Sequence, residues 1–475
     1  MSQSRGDSEP WGTRGKNPPG GGSGPVPAHP TFATPDGELL SFFQALESTA
    51  TVQDKVMGCH QAALVRLTAR TQAILGGEEE RQLEGAERAG KKWADFTLLE
   101  TEPCCETGEA WYYRVCCASE PRRPILAAKV HKSYPSSLAV QMSVGAHFNI
   151  QQVLGHFLDS PPKDLVPGAR PEKLGRLRPG EDEGAMSAGA SPPLTQVTLS
   201  PEVPYQTLAD FVRGSHVLHS SRPGPYERLA CLLLLQLCTG LEHLKQQRVA
   251  GADIHMENLL LVQCPALPRG RRDETPAAAL PLPRLVVSDF SKATGQKKSA
   301  SVARDLDRAS TAPTWLSVAH VQSTEGLQLG KLVYEILHLP DPLQKASGLR
   351  SGDLPAIPAW STYSRGLQTL ASLLLHPDPR RSLPVEQAKA VLQILLWGPR
   401  QELLPSHQLT SVLLQNWLAI KRALLLLSFA EKAPEAAASV GLEDWLCCCY
   451  FTETSAHTLL RTLRTLHASD SSGAC

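Results

Sequence analysis

Lys129, Asp253, Asn258 and Asp289 occur in an order and local setting that very few folds can use. Lys129 sits near the end of "ILAAKV" (125–130), a short apolar run that reads as a buried strand. Asp253 and Asn258 stand five apart in "GADIHMENLLLV" (251–262), ahead of a second apolar run, and Asp289 follows a third in "RLVVSDFS" (284–291). A strand lysine that reaches phosphates, an aspartate that takes a proton, and an asparagine with a second aspartate that hold a divalent cation are the groups a phosphoryl-transfer site needs. Their use requires a fold that brings three distant strand ends to one cleft.

The surrounding residues break that pattern. Asp253 and Asn258 have the spacing of the outer residues in the kinase motif H-R-D-L-x-x-x-N, but the His-Arg pair reads Gly251-Ala252. Lys129 in "LAAK" matches V-A-I-K, with Ala127 where an adenine ring would rest, yet no Asp or Glu lies between Val130 and Phe157 to orient it. Between Phe96 and Val115 the only glycine is Gly108, where a phosphate-binding turn needs three. The same span carries Glu100, Glu102, Glu106 and Glu109. At surface-like dielectric, one such carboxylate 4 Å from a phosphate charge costs about 4 kcal/mol. Asp289-Phe290-Ser291 keeps the chelating acid but loses the glycine of D-F-G, and Ala252 removes the arginine that would hold a phosphorylated loop. Ala312-Pro313-Thr314 reads as a degraded A-P-E with no acid for Arg381, and Glu325 stands where an aspartate usually anchors the catalytic loop. Single matches of this length carry little. Their order, with "HFNI" at 147–150, "GKLVYEIL" at 330–337 and "HPDPRR" at 376–381, predicts an α+β, bilobal protein-kinase-like fold.

The chain has 475 residues with 47 basic and 47 acidic side chains, so no global field favours nucleic acid or a membrane surface. The longest apolar run, Leu229 to Leu235, is too short to span a bilayer and reads as a buried helix. The twelve cysteines cluster as adjacent residues (Cys104-Cys105, Cys116-Cys117, Cys447-Cys448-Cys449) rather than as C-x-x-C pairs, so no metal is expected. Buried free thiols in a reducing, cytoplasmic setting are the expectation. Residues 1–33 are too rich in Gly and Pro to fold and read as a disordered tail. Residues 34–95 read as a helix and linker: Thr34-Pro35-Asp36 is a cap signal, Leu39, Phe42, Phe43 and Leu46 share a face, and the pattern stops at Gly76-Gly77. Residues 96–397 are the kinase-like unit, with insertions at 159–195 and 264–283. Residues 398–470 are helical again; Leu409, Val412, Leu413, Trp417, Ile420, Leu424 and Leu427 make one apolar face.

"YYRV", "AKV", "HFN", "ENLLLV" and especially "LEDWLCCCY" (442–450) resemble segments of the Pragmin/PEAK family of pseudokinases, a likeness that covers residues 36–467. The resemblance implies that flanking N- and C-terminal helices form a split helical dimerisation module. It implies a scaffold that homo- or hetero-dimerises and regulates tyrosine-kinase signalling, the cytoskeleton and cell migration, at the cytoskeleton or focal adhesions, with its nucleotide cleft closed. On this reading Phe42, Phe43, Leu46, Trp417, Trp445 and Leu446 serve dimerisation, partners are family members, adaptors or tyrosine kinases, and no ATP or Mg²⁺ is bound. The departure is the region before the first helix, about 33 residues without a tyrosine. Tyr134, Tyr205, Tyr226 and Tyr363 are then the alternatives for recruitment. Two rival functions remain open from the residues alone. One is an atypical active kinase built on Lys129, Asp253, Asn258 and Asp289. The other is a non-catalytic nucleotide switch using Lys129, Asn258 and Asp289.

Overall fold

The computed structural model describes residues 48–83, 91–118, 125–134, 138–162, 165, 194–264, 282–290, 293–295, 315–339, 354–376, 378, 381–399, 409–432 and 441–472. Contacts divide the chain into two compact units, Met1–Ala63 and Leu64–Cys475. The described residues of the first are Ser48 and the opening turns of helix α1 (Thr49–Leu83). The second carries all three sheets of the described residues, their other helices and every catalytic-type residue.

An antiparallel sheet forms its first lobe. Strands β1 (Phe96–Leu98), β2 (Cys105–Glu106), β3 (Ala110–Cys117), β4 (Leu126–His131), β5 (Gly155–Asp159) and β6 (Thr195–Ser200) are ordered β1-β3-β4-β6-β5, with β2 hydrogen-bonded to β3. The period-2 alternation of strands explains the two faces. Tyr113, Val115, Ala128, Val130, Val197 and Leu199 pack with Trp93 and Phe157 on one side. Ala110, Tyr112 and Ala127 face the other way, towards the second lobe. Helix α2 (Leu138–Ser143) follows β4 and stands where a kinase has helix C. The turn after it is tied across the lobes: Asn149 Nδ2 donates to Gln236 Oε1 (3.3 Å) and to the Leu285 carbonyl (2.8 Å).

Strand β7 (Pro204–Thr207) leads into α3 (Leu208–Gly214), whose first turn is closed by a reciprocal Thr207–Asp210 box. Helices α4 (His216–Ser221) and α5 (Pro223–Gln246) follow. The apolar run at 229–235 is buried all round inside α5, as a core helix rather than a surface one should be. Strands β8 (Val249–Ala250), β9 (Leu259–Val262), β10 (Arg284–Val287) and β11 (Thr294–Gly295) pair as β10-β9-β7 and β11-β8. Helices α6 (Trp315–Ile336), α7 (Ser364–Leu374) and α8 (Val385–Trp397) complete the lobe. His338 ends α6 in the left-handed region (φ 60°), where Leu339 N–H reaches back to the Tyr334 carbonyl. The position favours glycine; the His338 ring stacks on Tyr226 and lies tilted beside His219.

Beyond α8 come α9 (Ser411–Lys432), α10 (Leu442–Glu453) and α11 (Ala456–Ser472). Leu414 and Leu418 of α9, Tyr450 and Phe451 of α10, and Leu459 and Leu463 of α11 form a cluster with Leu64 of α1 and Ile394 of α8. By length and mean hydropathy, 411–431 is apolar enough to cross a membrane. Here it lies on the folded chain, with Arg422 donating to the carbonyls of Phe451 and Thr454 at the end of α10 (both 2.8 Å).

Two expectations need correction. Helix α1 does not stop at Gly76-Gly77 but continues to Leu83. Each glycine costs about 1 kcal/mol against alanine in a helix, and the Glu- and Gln-rich stretch after them is made of good helix formers. Trp445 and Leu446 are not free dimer contacts: both are buried in the chain's own core, Trp445 with its ring 4.8 Å from that of Phe148. Apolar residues beside an amphipathic face look alike whether they cover a partner or the chain itself. Phe42, Phe43, Leu46, Ser291 and Thr314 lie outside the described residues.

Candidate functional site

The fold brings Lys129, Asp253, Asn258 and Asp289 together, all nearly buried, in the cleft between the two lobes. Lys129 projects from β4 beside its β3 partner Tyr112. Its ammonium lies 2.7 Å from the Ser288 carbonyl, to which it donates. Burial pushes the Lys129 pKa down to about 8, partly opposed by the carboxylates of Asp289 and Glu109. The lysine of the phosphate site is thus engaged by the backbone just before Asp289.

Asp289 is engaged through both its side chain and its backbone. Asn258 Nδ2 donates to Asp289 Oδ2 at 3.0 Å, the Asp253 N–H donates to the Asp289 carbonyl at 3.2 Å, and Ser288 Oγ donates to the Asn258 carbonyl at 2.9 Å. His255 Nε2 stands 3.5 Å from Asp253 Oδ1. Glu325 lies near the Gly251 N–H, which favours its charged form, while burial raises its pKa. Gly251 itself adopts φ 82°, so only a residue without Cβ turns the chain there without strain.

The turn between β2 and β3 folds down onto this cluster. A Cβ added to Gly108 would lie 3.9 Å from Asn258 Oδ1. Lys132, just after β4, pins that turn by donating to Glu106 Oε1 (2.6 Å) and to the Thr107 carbonyl (2.7 Å). Beneath it, Cys105, Ala110, Tyr112 and Ala127 pack directly against Leu260, Val262 and Val286 of β9 and β10. These are the two surfaces between which an adenine ring would lie. Burial also lifts the Cys105 thiol to about 12 and Cys104 to about 11, so both are neutral packing groups. In this arrangement Asp289 accepts from Asn258, Lys129 donates to Ser288, and Tyr112 and its neighbours line the adenine position.

Sequence reasoning missed the buried ion pair behind the cleft. Arg284 Nη2 meets Glu202 Oε1 at 3.1 Å, and Arg284 Nε donates to the Phe148 carbonyl at 2.6 Å. Glu202 also accepts from Ser200 Oγ (2.6 Å) and from the Gln152 N–H (3.1 Å). An arginine opening an apolar strand and a glutamate in "SPEVP" were the available signals. A cavity of about 540 Å³ opens beside this pair, lined among others by Gln72, Phe148, Lys389 and Trp445.

A kinase frame without the glycine-rich turn, the helix-C acid and the D-F-G glycine is that of a pseudokinase. No family model matches the chain. It is 37% identical to the inactive tyrosine-protein kinase PEAK1 of Homo sapiens over 469 residues, covering 88% of this chain and 26% of that protein. It is 37% identical to the inactive tyrosine-protein kinase PRAG1 of Rattus norvegicus over 450 residues, covering 87% of this chain and 32% of that one. The crystal structure of the pseudokinase PEAK1 (Sugen Kinase 269) matches with a TM-score of 0.66 at 36% identity, over 87% of this chain and 100% of that one. The chain belongs to the Pragmin/PEAK family of pseudokinases, the family of PEAK1 and PRAG1. It spans only about a quarter to a third of the length of the curated relatives it matches.

Proposed function

We propose that the chain is a catalytically silent scaffold that pairs with a second copy, or with another family member, through the outer face of α9. One observation carries this reading. Val412, Ile420, Leu424 and Leu427 are more than half exposed along one helix, while Leu414 and Leu418 on its opposite face are buried. An apolar stripe of that length on a docked helix marks an interaction surface. Trp417 and Lys421 border it, beside a groove formed with Trp397 and Phe451. A stable pair needs more than about 1,000 Å² of total buried surface, which two such helices supply with modest help from their neighbours.

The scaffold would serve tyrosine-kinase signalling in the cytoplasm, at the cytoskeleton or focal adhesions, with effects on cell migration, as the resemblance to its family implies. It would bind no ATP or Mg²⁺, a reading supported by the engaged Lys129 and the packed adenine position.

The test is solution mass by light scattering for the full chain and for Ile420→Asp/Leu424→Asp. A dimer that becomes a folded monomer supports the reading; a dimer unmoved by both charges rejects this face, and a monomeric parent rejects pairing with a second copy. Silence is tested separately by thermal melting with millimolar ATP and Mg²⁺, where ligand at 100 times Kd would add ~2.7 kcal/mol. A shift of that size would favour the nucleotide-switch alternative.

A further inference from the structure

The chain has eight tyrosines, all within the described residues. Tyr112, Tyr113, Tyr226, Tyr334 and Tyr450 are fully buried and Tyr363 is nearly so. The Tyr226 hydroxyl donates to the Ile336 carbonyl at 2.6 Å, and Tyr363 Oη accepts from Arg228 Nη1 at 3.0 Å. None of these six is reached by another protein without opening of the core. Tyr205 is 41% exposed but lies within β7, whose flanking residues Pro204 and Gln206 are in register with Val262 and Leu261 of β9. Its backbone is committed to the sheet. Tyr134 differs on both counts: it is 75% exposed and lies in the connection between β4 and α2, outside any helix or strand.

We propose that Tyr134 is a phosphorylation site of this chain, the acceptor for a tyrosine kinase acting on the folded protein. A kinase must draw several residues around its target into an extended stretch in its own cleft. Tyr134 lies past the last pairing at the end of β4, where the Lys132 N–H meets the Glu109 carbonyl, whereas the residues on both sides of Tyr205 are in register with β9, from which β7 would have to be peeled. In the transfer, the Tyr134 phenolic oxygen forms a bond to the γ-phosphorus of ATP, and the bond from that phosphorus to the β-phosphate bridging oxygen breaks. ADP leaves, and the phenolic proton passes to the attacking kinase's catalytic aspartate. The product places close to two negative charges two residues from Lys132, the group that pins the β2–β3 turn over Asn258. This inference is independent of the dimer reading, since it concerns a different lobe and needs no partner copy.

The test uses the full chain, its native melt first confirmed, incubated with a purified active tyrosine-kinase catalytic domain and ATP with Mg²⁺. The reaction is followed by peptide mapping and total phosphotyrosine. The expected result is phosphate on the peptide containing Tyr134. Tyr134→Phe, a surface change that leaves the melt unaltered, should lower incorporation about ten-fold or more, because the remaining tyrosines are reached only through local opening. Tyr205→Phe should leave incorporation unchanged. Phosphate chiefly on another tyrosine, undiminished labelling of Tyr134→Phe, or no labelling of the native chain would each overturn the proposal.

Discussion

The Lys129 ammonium donates to the Ser288 carbonyl across 2.7 Å, one residue before the acid it would help to serve in a working kinase. A buried lysine held by one neutral carbonyl retains much of its desolvation penalty, which is why its pKa falls to about 8.

Lys129→Met should therefore melt no lower than the parent at pH 7. The single hydrogen bond it removes is worth about 1.5–3 kcal/mol, and the burial cost of the ammonium goes with it. The pH dependence has a definite sign. Folding of the parent releases a proton between about 8 and the unfolded lysine value near 10.4, so its relative stability rises through that window. The advantage of Lys129→Met is greatest below pH 8 and shrinks towards pH 10. Chemical denaturation of both proteins at pH 7 and 9.5 measures it; a gap that widens with pH contradicts the assignment.

Tyr112 fills the space between Ala127 and Leu260, and its removal should be expensive. Tyr112→Ala is expected to lower stability by about 3–5 kcal/mol through lost burial and the cavity left behind. It should gain no thermal shift with ATP and Mg²⁺, because Asp289 stays tied to Asn258 and Lys129 to Ser288. Denaturant titration with and without nucleotide decides both points.

Arg284 and Glu202 are each almost fully buried, so cutting the pair leaves a charge in the interior. Arg284→Met should cost about 3–5 kcal/mol, while the double change with Glu202→Gln should recover a substantial part of it. A double-mutant cycle on urea midpoints reads the coupling directly; additive effects would show that the pair contributes packing alone.

Buried histidines help to set the acid limb. Burial and the nearby Lys129 charge push His131 down to about 3, and burial with His243, Arg284 and Lys389 does the same to His147. Unfolded imidazoles titrate near 6.5, so the unfolded chain binds more protons between about 3 and 6.5. Their contribution to stability is complete above that range and is lost as pH falls through it. The melting temperature at pH 5 should lie below that at pH 7. His131→Gln, which can keep the contact to Thr198 Oγ1, should flatten the decline.

The kinase-like frame was legible because its chemistry-bearing residues sit at strand ends with fixed spacings, and those spacings survive loss of activity. Lys129, Asp253, Asn258 and Asp289 converge as their order implied, and Glu325 lies near Gly251. What the cleft does instead was not legible. The hydrogen bond from Lys129 to Ser288, and the approach of Gly108 to Asn258, depend on how far two lobes close, which no local pattern encodes. The tail helices show a second limit. Periodicity put Trp445 on an apolar face, but only the fold shows that Phe148 covers it, whereas Ile420 and Leu424 stay open. The run through Gly76-Gly77 shows a third, since flanking helix formers outweighed two local breakers.

Phe148 belongs to the first lobe's turn after α2, and Trp445 to a helix that enters the sequence almost three hundred residues later, yet their rings touch. A recombinant piece trimmed at the end of α8 would strip this aromatic lining from the interlobe turn and leave Phe148 without its cover. Shortened versions of this protein should be cut outside α10, and a report of instability in a trimmed one would reflect surgery on the hinge rather than loss of an accessory appendage.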